Sequence, residues 1–494
     1  MADVKYFAGI DIGTTNIKGS LYSSDGCHVS KASTSYKSFS PKEGFHEQDP
    51  NDWVDGFIYI LQKLLINASI KENLEAVSIS TQGGTLIAVD SDFKPLYRAI
   101  TWLDRRTPDT LDKNKELLLN NKDFIARTGW EPDCGISLMP LLWLKENKSR
   151  AFNKIHKVLY VNDYVQKKIT GECFQDPSNA SITLFYNVKN GTWDEKILKL
   201  TGLDKNKFSK VKNPGELVGF LDEGICKKLN IKKRVKVING SHDQYCAGLG
   251  CGLLSREEIL LATGTAWVIF TFMDNLPLSP ESFSGIGRFS FKNGSADDKF
   301  GLIYSIPSAG MSVKWFAENI MNLASEDNLF KMENENSGKI ISIENNIIFH
   351  PYLTGSYGPD LDLKKRAGFL NIDISHNYLH LFKAIMEGVG FQLKKVLASL
   401  QKRGVKPKEI KMVGGGSKSK VWPKIIADIT NTNILIPENR DEDFASKGAA
   451  IIAGYGSGIF SSLHEGYKMV KSSFKLIEPD SRKVKFYEDK FKMF

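Results

Sequence analysis

Leu261-Ala262-Thr263-Gly264-Thr265-Ala266-Trp267 echoes Gly9-Ile10-Asp11-Ile12-Gly13-Thr14-Thr15-Asn16, with Gly264 standing 251 residues after Gly13. Each stretch carries an apolar strand into a Gly-Thr turn and an apolar strand out of it, Ile17 to Tyr22 in the first case and Val268 to Phe272 in the second. Glycine lets backbone N–H groups approach phosphate oxygens closely, and the threonine hydroxyls add donors at the bend. A single Gly-Thr turn only reverses the chain. Two of them predict two similar lobes whose hairpins hold a nucleoside triphosphate from both sides.

The 494 residues are too many for one core and fit two lobes, divided at the polar stretch Ser255-Arg256-Glu257-Glu258 into residues 1–254 and 255–494. Composition is that of a globular enzyme, with 41% hydrophobic and 25% charged residues. The net charge of +9 is small for this length, and its densest run, Lys232-Lys233-Arg234-Val235-Lys236, enters an apolar strand, so nucleic acid is not an expected partner. The start, Met1-Ala2-Asp3-Val4-Lys5, lacks the regions of a signal peptide, and no later stretch offers ~20 consecutive apolar residues; a cytoplasmic protein with no membrane partner is expected. The six cysteines are scattered without a Cys-x-x-Cys pair, and His376 and His380 have helical spacing without a glutamate or third ligand, so neither a disulfide framework nor a zinc site is indicated.

Along the chain, strands are expected at Tyr6–Ile10, Ile17–Tyr22, Ala76–Ser80 and Leu86–Val89, with an amphipathic helix from Pro50 to Ile70 capped by Asp49 or Asn51. Helices dominate from 107 to 170. Strands return at Val235–Asn239 and Ile259–Phe272, flanking a small-residue helix from Asp243 to Gly252. A helix over Ser312–Leu323, a polar loop over 325–340, a long helix over Leu379–Arg403, a strand at Ile410–Val413 and a helix from Val421 complete the second lobe.

Asp243, just past the strand Val235–Ile238, lies at the carboxyl edge of a sheet, where α/β folds bind ligands. It either caps the next helix or takes the proton of an attacking hydroxyl, and the two roles are compatible. Asp11, at the mouth of the first hairpin, suits a magnesium ion reached through water. Gln82-Gly83-Gly84, with Trp102, Asp104, Arg105 and Arg106, has the mixture a polyol needs: a ring for C–H faces, and amide, carboxylate and guanidinium groups for hydroxyls. A core tryptophan beside a surface ion pair is the structural alternative. Gly414-Gly415-Gly416-Ser417 leaves a strand and opens a helix, bare backbone on which a flat ligand or phosphate can lie, and its spacing is neither that of a Rossmann turn nor that of a P-loop.

In this order the motifs resemble the FGGY family of carbohydrate kinases. The resemblance runs from Gly9–Thr15 through Trp102-x-Asp104-x-Arg106, Asp176-Pro177-Ser178-Asn179-Ala180, Pro214-Gly215, Gly240-x-x-Asp243, Thr263-Gly264-Thr265 and Glu387-Gly388-Val389, to Gly414–Ser419 and Ala445–Ala450. It implies an α/β, two-lobe, actin/hexokinase-like (ribonuclease H-like) ATPase fold with a central cleft. It further implies ATP and Mg2+ as cofactors and phosphorylation of a sugar hydroxyl, a ketopentose such as D-xylulose first, with gluconate, another ketose, a polyol or a linear signalling sugar as alternatives. A non-enzymatic ATP-binding regulator is the reading from another class. By the resemblance, Asp243 is the catalytic base and Asp11 lies near the metal. Gly13, Thr14, Thr15, Thr263, Gly264 and Thr265 meet the phosphates, and Gly414, Gly415, Gly416 and Ser417 the adenosine. Gln82, Gly83, Trp102, Asp104, Asp243 and Gln244 surround the sugar, and a homodimer is a family-level expectation. Three positions depart from the family's pattern. Pro140 stands three residues before Trp143 in place of a usual lysine, Gln82-Gly83-Gly84 fills a loop that carries Met-His in the ketopentose and gluconate kinases, and His242 stands where the ketopentose kinases favour glycine.

Overall fold

In the computed structural model, which describes residues 4–118, 122–253, 257–276, 284–290, 299–323, 325–356, 358–360, 362 and 364–494, both Gly-Thr turns close antiparallel hairpins at matching places in two sheets. The first sheet is built from β1 (Tyr6–Ile12), β2 (Asn16–Ser23), β3 (His28–Ser35), β4 (Leu74–Thr81), β5 (Leu217–Phe220) and β6 (Lys236–His242), in the order β5-β6-β4-β1-β2-β3. The second comprises β7 (Glu258–Thr263), β8 (Trp267–Met273), β9 (Ser284–Phe289), β10 (Lys299–Ile306), β11 (Glu409–Gly414), β12 (Asn433–Pro437) and β13 (Phe474–Ile477), in the order β9-β10-β8-β7-β11-β12-β13. With β9 set aside the sheets correspond strand for strand: β1 and β7 each pair antiparallel with the next strand and parallel with β4 or β11, which pair parallel with β6 or β12. The duplication expected from the two hairpins is therefore present through whole sheets. The expected boundary at 254/255 falls among residues outside those described.

The helices that place the site are α1 (Pro50–Leu64), α2 (Pro177–Ser181), α3 (Asp243–Gly250), α4 (Ala309–Asn319), α5 (Glu326–Ser342), α6 (Tyr378–Lys402), α7 (Trp422–Thr430) and α8 (Phe444–Ser457). Strand alternation sends Ala8, Ile10 and Ile12 to the face of the first sheet covered by α1, whose Trp53, Phe57, Ile60, Leu61 and Leu64 are fully buried there. Each such side chain contributes about 1.5–3 kcal/mol relative to exposure. The opposite face, carrying Phe7, Gly9 and Asp11, is covered by α8, a helix of the second half of the chain. In return α3, which follows β6 of the first sheet, sends Tyr245 against Phe270 and Phe272 of the second. The two helices touch backbone to backbone: a Cβ on Gly448 would lie 1.9 Å from the Cys246 carbonyl oxygen. Each lobe thus closes the core of the other, and Asp11 and Asp243 are brought to the same seam.

Several local expectations are corrected. The segment expected as a polar loop at 325–340 is α5, capped by Ser325, whose side chain accepts the Asn328 N–H; Leu329, Met332 and Ile340 form a narrow apolar stripe that composition conceals. The helix expected over Pro50–Ile70 ends at Leu64, and Asn67 caps a separate turn, Ala68–Asn73. Strand β3, too polar to stand out, extends the sheet beyond β2. Among the described residues, no helix is long and apolar enough to cross a membrane.

Candidate active site

Strand β6 ends at His242, and α3 begins at Asp243. Capping falls to the histidine: its Nδ1 accepts the Gln244 N–H at 3.3 Å. The expectation that Asp243 caps the helix is thereby corrected, and its carboxylate is left at the positive end of α3 with no capping duty. Asp243 Oδ1 is buried without a hydrogen-bond partner among the described residues. His242 Nδ1 lies 3.3 Å from it, but that nitrogen is already an acceptor and has no proton to offer. From behind, the His242 N–H donates to Ser178 Oγ at 3.0 Å, and Ser178 donates to Asp176, whose buried carboxylate also accepts from Asn179 Nδ2 at 2.6 Å. The Asp176–Ala180 motif therefore pins the corner that presents Asp243.

Asp11, next to last in β1, lies on the α8 face, its Oδ1 accepting the Ser80 hydroxyl at 2.6 Å. Burial, then the carboxylates of Asp443 and Asp243, push its pKa well above the ordinary value. Lys18, on β2, relieves part of this charge and pairs with Asp443 at 2.9 Å across the lobes. Among the described residues, no group of three or more His, Cys, Asp or Glu side chains is arranged to hold a metal directly.

The first hairpin is braced from within. Gly13 N–H donates to Asn16 O at 3.0 Å, Tyr36 donates to the Gly13 carbonyl, and Gln48 Nε2 donates to Thr14 O at 2.7 Å. Thr15 is exposed. In the second hairpin Thr263 is buried and donates to Val413 O, locking the turn to β11, while Gly264 and Thr265 are exposed. A Cβ on Gly264 would meet nothing nearer than 3.5 Å. The packing of the protein itself makes no demand for glycine there.

The residues expected around the sugar divide into two groups. Trp102 is 39% exposed, which rules out a core tryptophan, and its Nε1 donates to Thr14 Oγ1 at 3.1 Å. Gly83 lies against the His242 ring, and Gln244 has a buried Oε1 without a partner among the described residues. Gln82 and Asp104, by contrast, are engaged internally. Gln82 bonds Tyr36 at 3.2 Å, Gln48 at 2.9 Å and Thr85 at 3.2 Å. Asp104 is fully buried, with Oδ1 accepting from Arg106 N and Nε at 2.9 Å and Oδ2 from Arg106 Nη2 at 2.7 Å and His46 N at 2.6 Å. A buried charge needs such a partner, and the pair shapes the loop beneath Trp102 with no free face for a hydroxyl.

Gly414 and Gly415 line a cavity of about 650 Å³, bounded by Lys18 and Lys31 on one side and Lys418, Arg440 and Asp443 on the other. Ser417 turns inward and donates to Gly414 O at 2.7 Å, bracing the turn. Glu333 of α5, raised in pKa by burial, accepts from Ser419 Oγ at 2.7 Å and Lys420 N at 2.8 Å just beyond that turn. Sequence reasoning missed Lys18, Tyr36, Gln48 and Glu333, and read His242 only as a departure from the family's pattern. Lys18, on the strand that leaves the first Gly-Thr turn, carried a local signal; the others act through contacts distant in sequence.

The N-terminal domain model of the FGGY family of carbohydrate kinases matches residues 6–250, and the C-terminal domain model matches residues 260–457. The chain is 29% identical over 494 residues to the xylulose kinase of Bacillus subtilis, covering 99% of this chain and 96% of that protein. It is 26% identical over 477 residues to the gluconokinase of the same organism, covering 95% and 91%. The solved structure of a ligand-bound xylulose kinase from Lactobacillus acidophilus is similar at a TM-score of 0.85 and 25% identity, covering 99% of this chain and 96% of that one. With both domain models matched in order on a two-lobed α/β architecture of the actin/hexokinase-like ATPase type, the chain belongs to the FGGY family of carbohydrate kinases, which are ATP-dependent phosphotransferases.

Proposed function

We propose that this kinase transfers the γ-phosphate of ATP to a hydroxyl of a ketopentose, D-xylulose in the first instance, with Asp243 taking the hydroxyl proton. The similarity to proteins named xylulose kinase supports the sugar, and gluconate is the second candidate by the similarity to gluconokinases. The single observation that carries the reading is the buried, unpartnered Asp243 Oδ1 at the N-terminus of α3. A carboxylate oxygen with no protein donor is free to accept a substrate O–H.

Asp243 orients the hydroxyl toward the γ-phosphorus and removes its proton as the new P–O bond forms, while the bond from the γ-phosphorus to the β,γ-bridging oxygen breaks and ADP leaves with that oxygen. The exposed Thr15 and Thr265 offer their hydroxyls, and the turns that carry them their remaining backbone N–H groups, to the phosphate oxygens. Asp11, held by Ser80, is the residue that would hold Mg2+, which would supply neutralisation of the charge on the transferring phosphoryl group. Lobe closure excludes water, the competing acceptor.

The test is ATP consumption with D-xylulose, gluconate and a panel of ketoses and polyols. Turnover should be negligible without an acceptor and rise with D-xylulose, and Asp243→Asn should lower kcat on the order of 10²–10⁴-fold with ATP affinity nearly intact. A variant retaining about half of the wild-type rate would remove Asp243 from the role of base.

A further inference from the structure

The imidazole of His242 fills the volume that any side chain at position 83 would need. A Cβ built on Gly83 would lie 2.4 Å from His242 Cδ2 and 2.6 Å from Nε2. Gly83 does not have the positive φ found at Gly84, so its backbone makes no demand for glycine; the ring does. The ring is fixed on its other sides. Nδ1 accepts the Gln244 N–H at 3.3 Å, the backbone N–H is held by Ser178 at 3.0 Å, and Tyr245 meets the ring edge-on at 5.9 Å between centroids. With Nδ1 an acceptor, the ring proton is on Nε2. Nε2 has no hydrogen-bond partner among the described residues, and the side chain is 8% exposed. A rigidly aimed donor with no protein partner among the described residues thus stands between the Gly83 turn and the carboxylate of Asp243.

We propose that His242 determines acceptor specificity, its Nε2–H donating to a sugar oxygen neighbouring the hydroxyl that Asp243 deprotonates. The ligand class is a small polyhydroxylated acceptor with an oxygen at that position. The proposal rests on Asp243 being the base, since it takes the reacting hydroxyl as its reference point. A bound acceptor that lacks the oxygen shuts the donor away from water without giving it a partner, and a site built around a hydrogen bond rejects such an analogue far more strongly than a merely apolar pocket does. Gly83 takes part by absence: its missing side chain leaves the ring its place.

His242→Asn separates this role from capping, because asparagine is a good N-cap and shortens the side chain so that the Nε2 donor is withdrawn. Initial rates are measured with D-xylulose, gluconate and glycerol, and with single-position deoxy analogues of whichever acceptor the wild type uses best. The expected result is a KM for that acceptor raised about 10–100-fold, unchanged KM for ATP and unchanged Tm, together with loss of discrimination against one deoxy analogue. Gly83→Ala, which displaces the ring without altering it, should reproduce the loss of discrimination. Wild-type KM and wild-type discrimination in His242→Asn would overturn the proposal, as would an equal loss on every acceptor with weakened ATP binding. A wild-type protein that phosphorylates no acceptor would instead overturn the kinase-substrate reading beneath it.

Discussion

Trp102 Nε1 donates to Thr14 Oγ1 at 3.1 Å, tying the indole at the proposed sugar site to the hairpin proposed for the phosphates. Gln48 holds the same hairpin through Thr14 O at 2.7 Å and also accepts from Gln82 at 2.9 Å. The loop before Gly83, the indole and the first Gly-Thr turn form one hydrogen-bonded frame, so a change at Trp102 has two separable parts, the aromatic face and the N–H.

Trp102→Ala removes both and should raise the acceptor KM about tenfold, the value of a lost aromatic contact near 1.4 kcal/mol. Trp102→Phe keeps a face and removes the N–H, so its acceptor KM should stay close to wild type while ATP KM rises slightly as Thr14 loosens. Neither should change Tm much, because the indole is 39% exposed. Steady-state kinetics with each substrate varied in turn, alongside thermal melts, separates these outcomes.

Asp11 makes stability depend on pH in a defined direction. Its folded-state pKa is raised above 3.8 by burial, Asp443 and Asp243, so the folded chain keeps a proton that the unfolded chain has released. Its stabilising contribution is fully present below 3.8 and is lost as pH rises through the raised folded value. Asp11→Asn removes that loss. Without nucleotide, the variant should melt higher than wild type near neutral pH and the difference should shrink toward acid, while its Mg2+-dependent turnover falls. Melting curves at a series of pH values and rates at saturating magnesium check the two halves.

Gly264→Val should fold normally, since a Cβ there would meet nothing nearer than 3.5 Å and Gly264 is not among the positive-φ glycines. Its branched side chain would instead obstruct a phosphate approaching the turn. ATP affinity, measured by calorimetry with a non-hydrolysable analogue, should fall with the acceptor affinity unaffected. The same analogue with the acceptor should reduce the wild-type radius of gyration in small-angle scattering, and less so in the variant.

Gly448→Ala is expected to act on the whole molecule. Its Cβ would fall 1.9 Å from the Cys246 carbonyl, and only separation of α3 and α8 would relieve the clash. A loss on the order of 1–3 kcal/mol is expected for such overpacking. Because both helices close the core of the opposite lobe, sheet-one and sheet-two probes should melt together at a lower temperature.

The two Gly-Thr hairpins, the β6–α3 corner at Asp243 and the glycine turn after β11 were legible because each is written in adjacent residues, as alternation broken by turn chemistry. Helix α5 and strand β3 were not: their composition is polar, and the few apolar contacts that hold α5 lie on elements remote in sequence. Asp104 was legible as chemistry and misleading as geometry. The same carboxylate that suits a hydroxyl suits Arg106, and nothing local shows that the pair is fully buried with Glu47 alongside.

By itself the sequence determined the duplicated lobes, the order of the motifs and the residue types available for phosphoryl transfer, since turns, strand periods and helix starts depend on neighbours a few positions apart. The tertiary structure alone decided that α8 covers the first sheet, that His242 and not Asp243 caps α3, and that the ring at 242 claims the space beside Gly83. Those outcomes depend on which backbones can approach one another and which polar atoms remain unpaired after burial, and both are properties of packing between segments with no local pattern to record them.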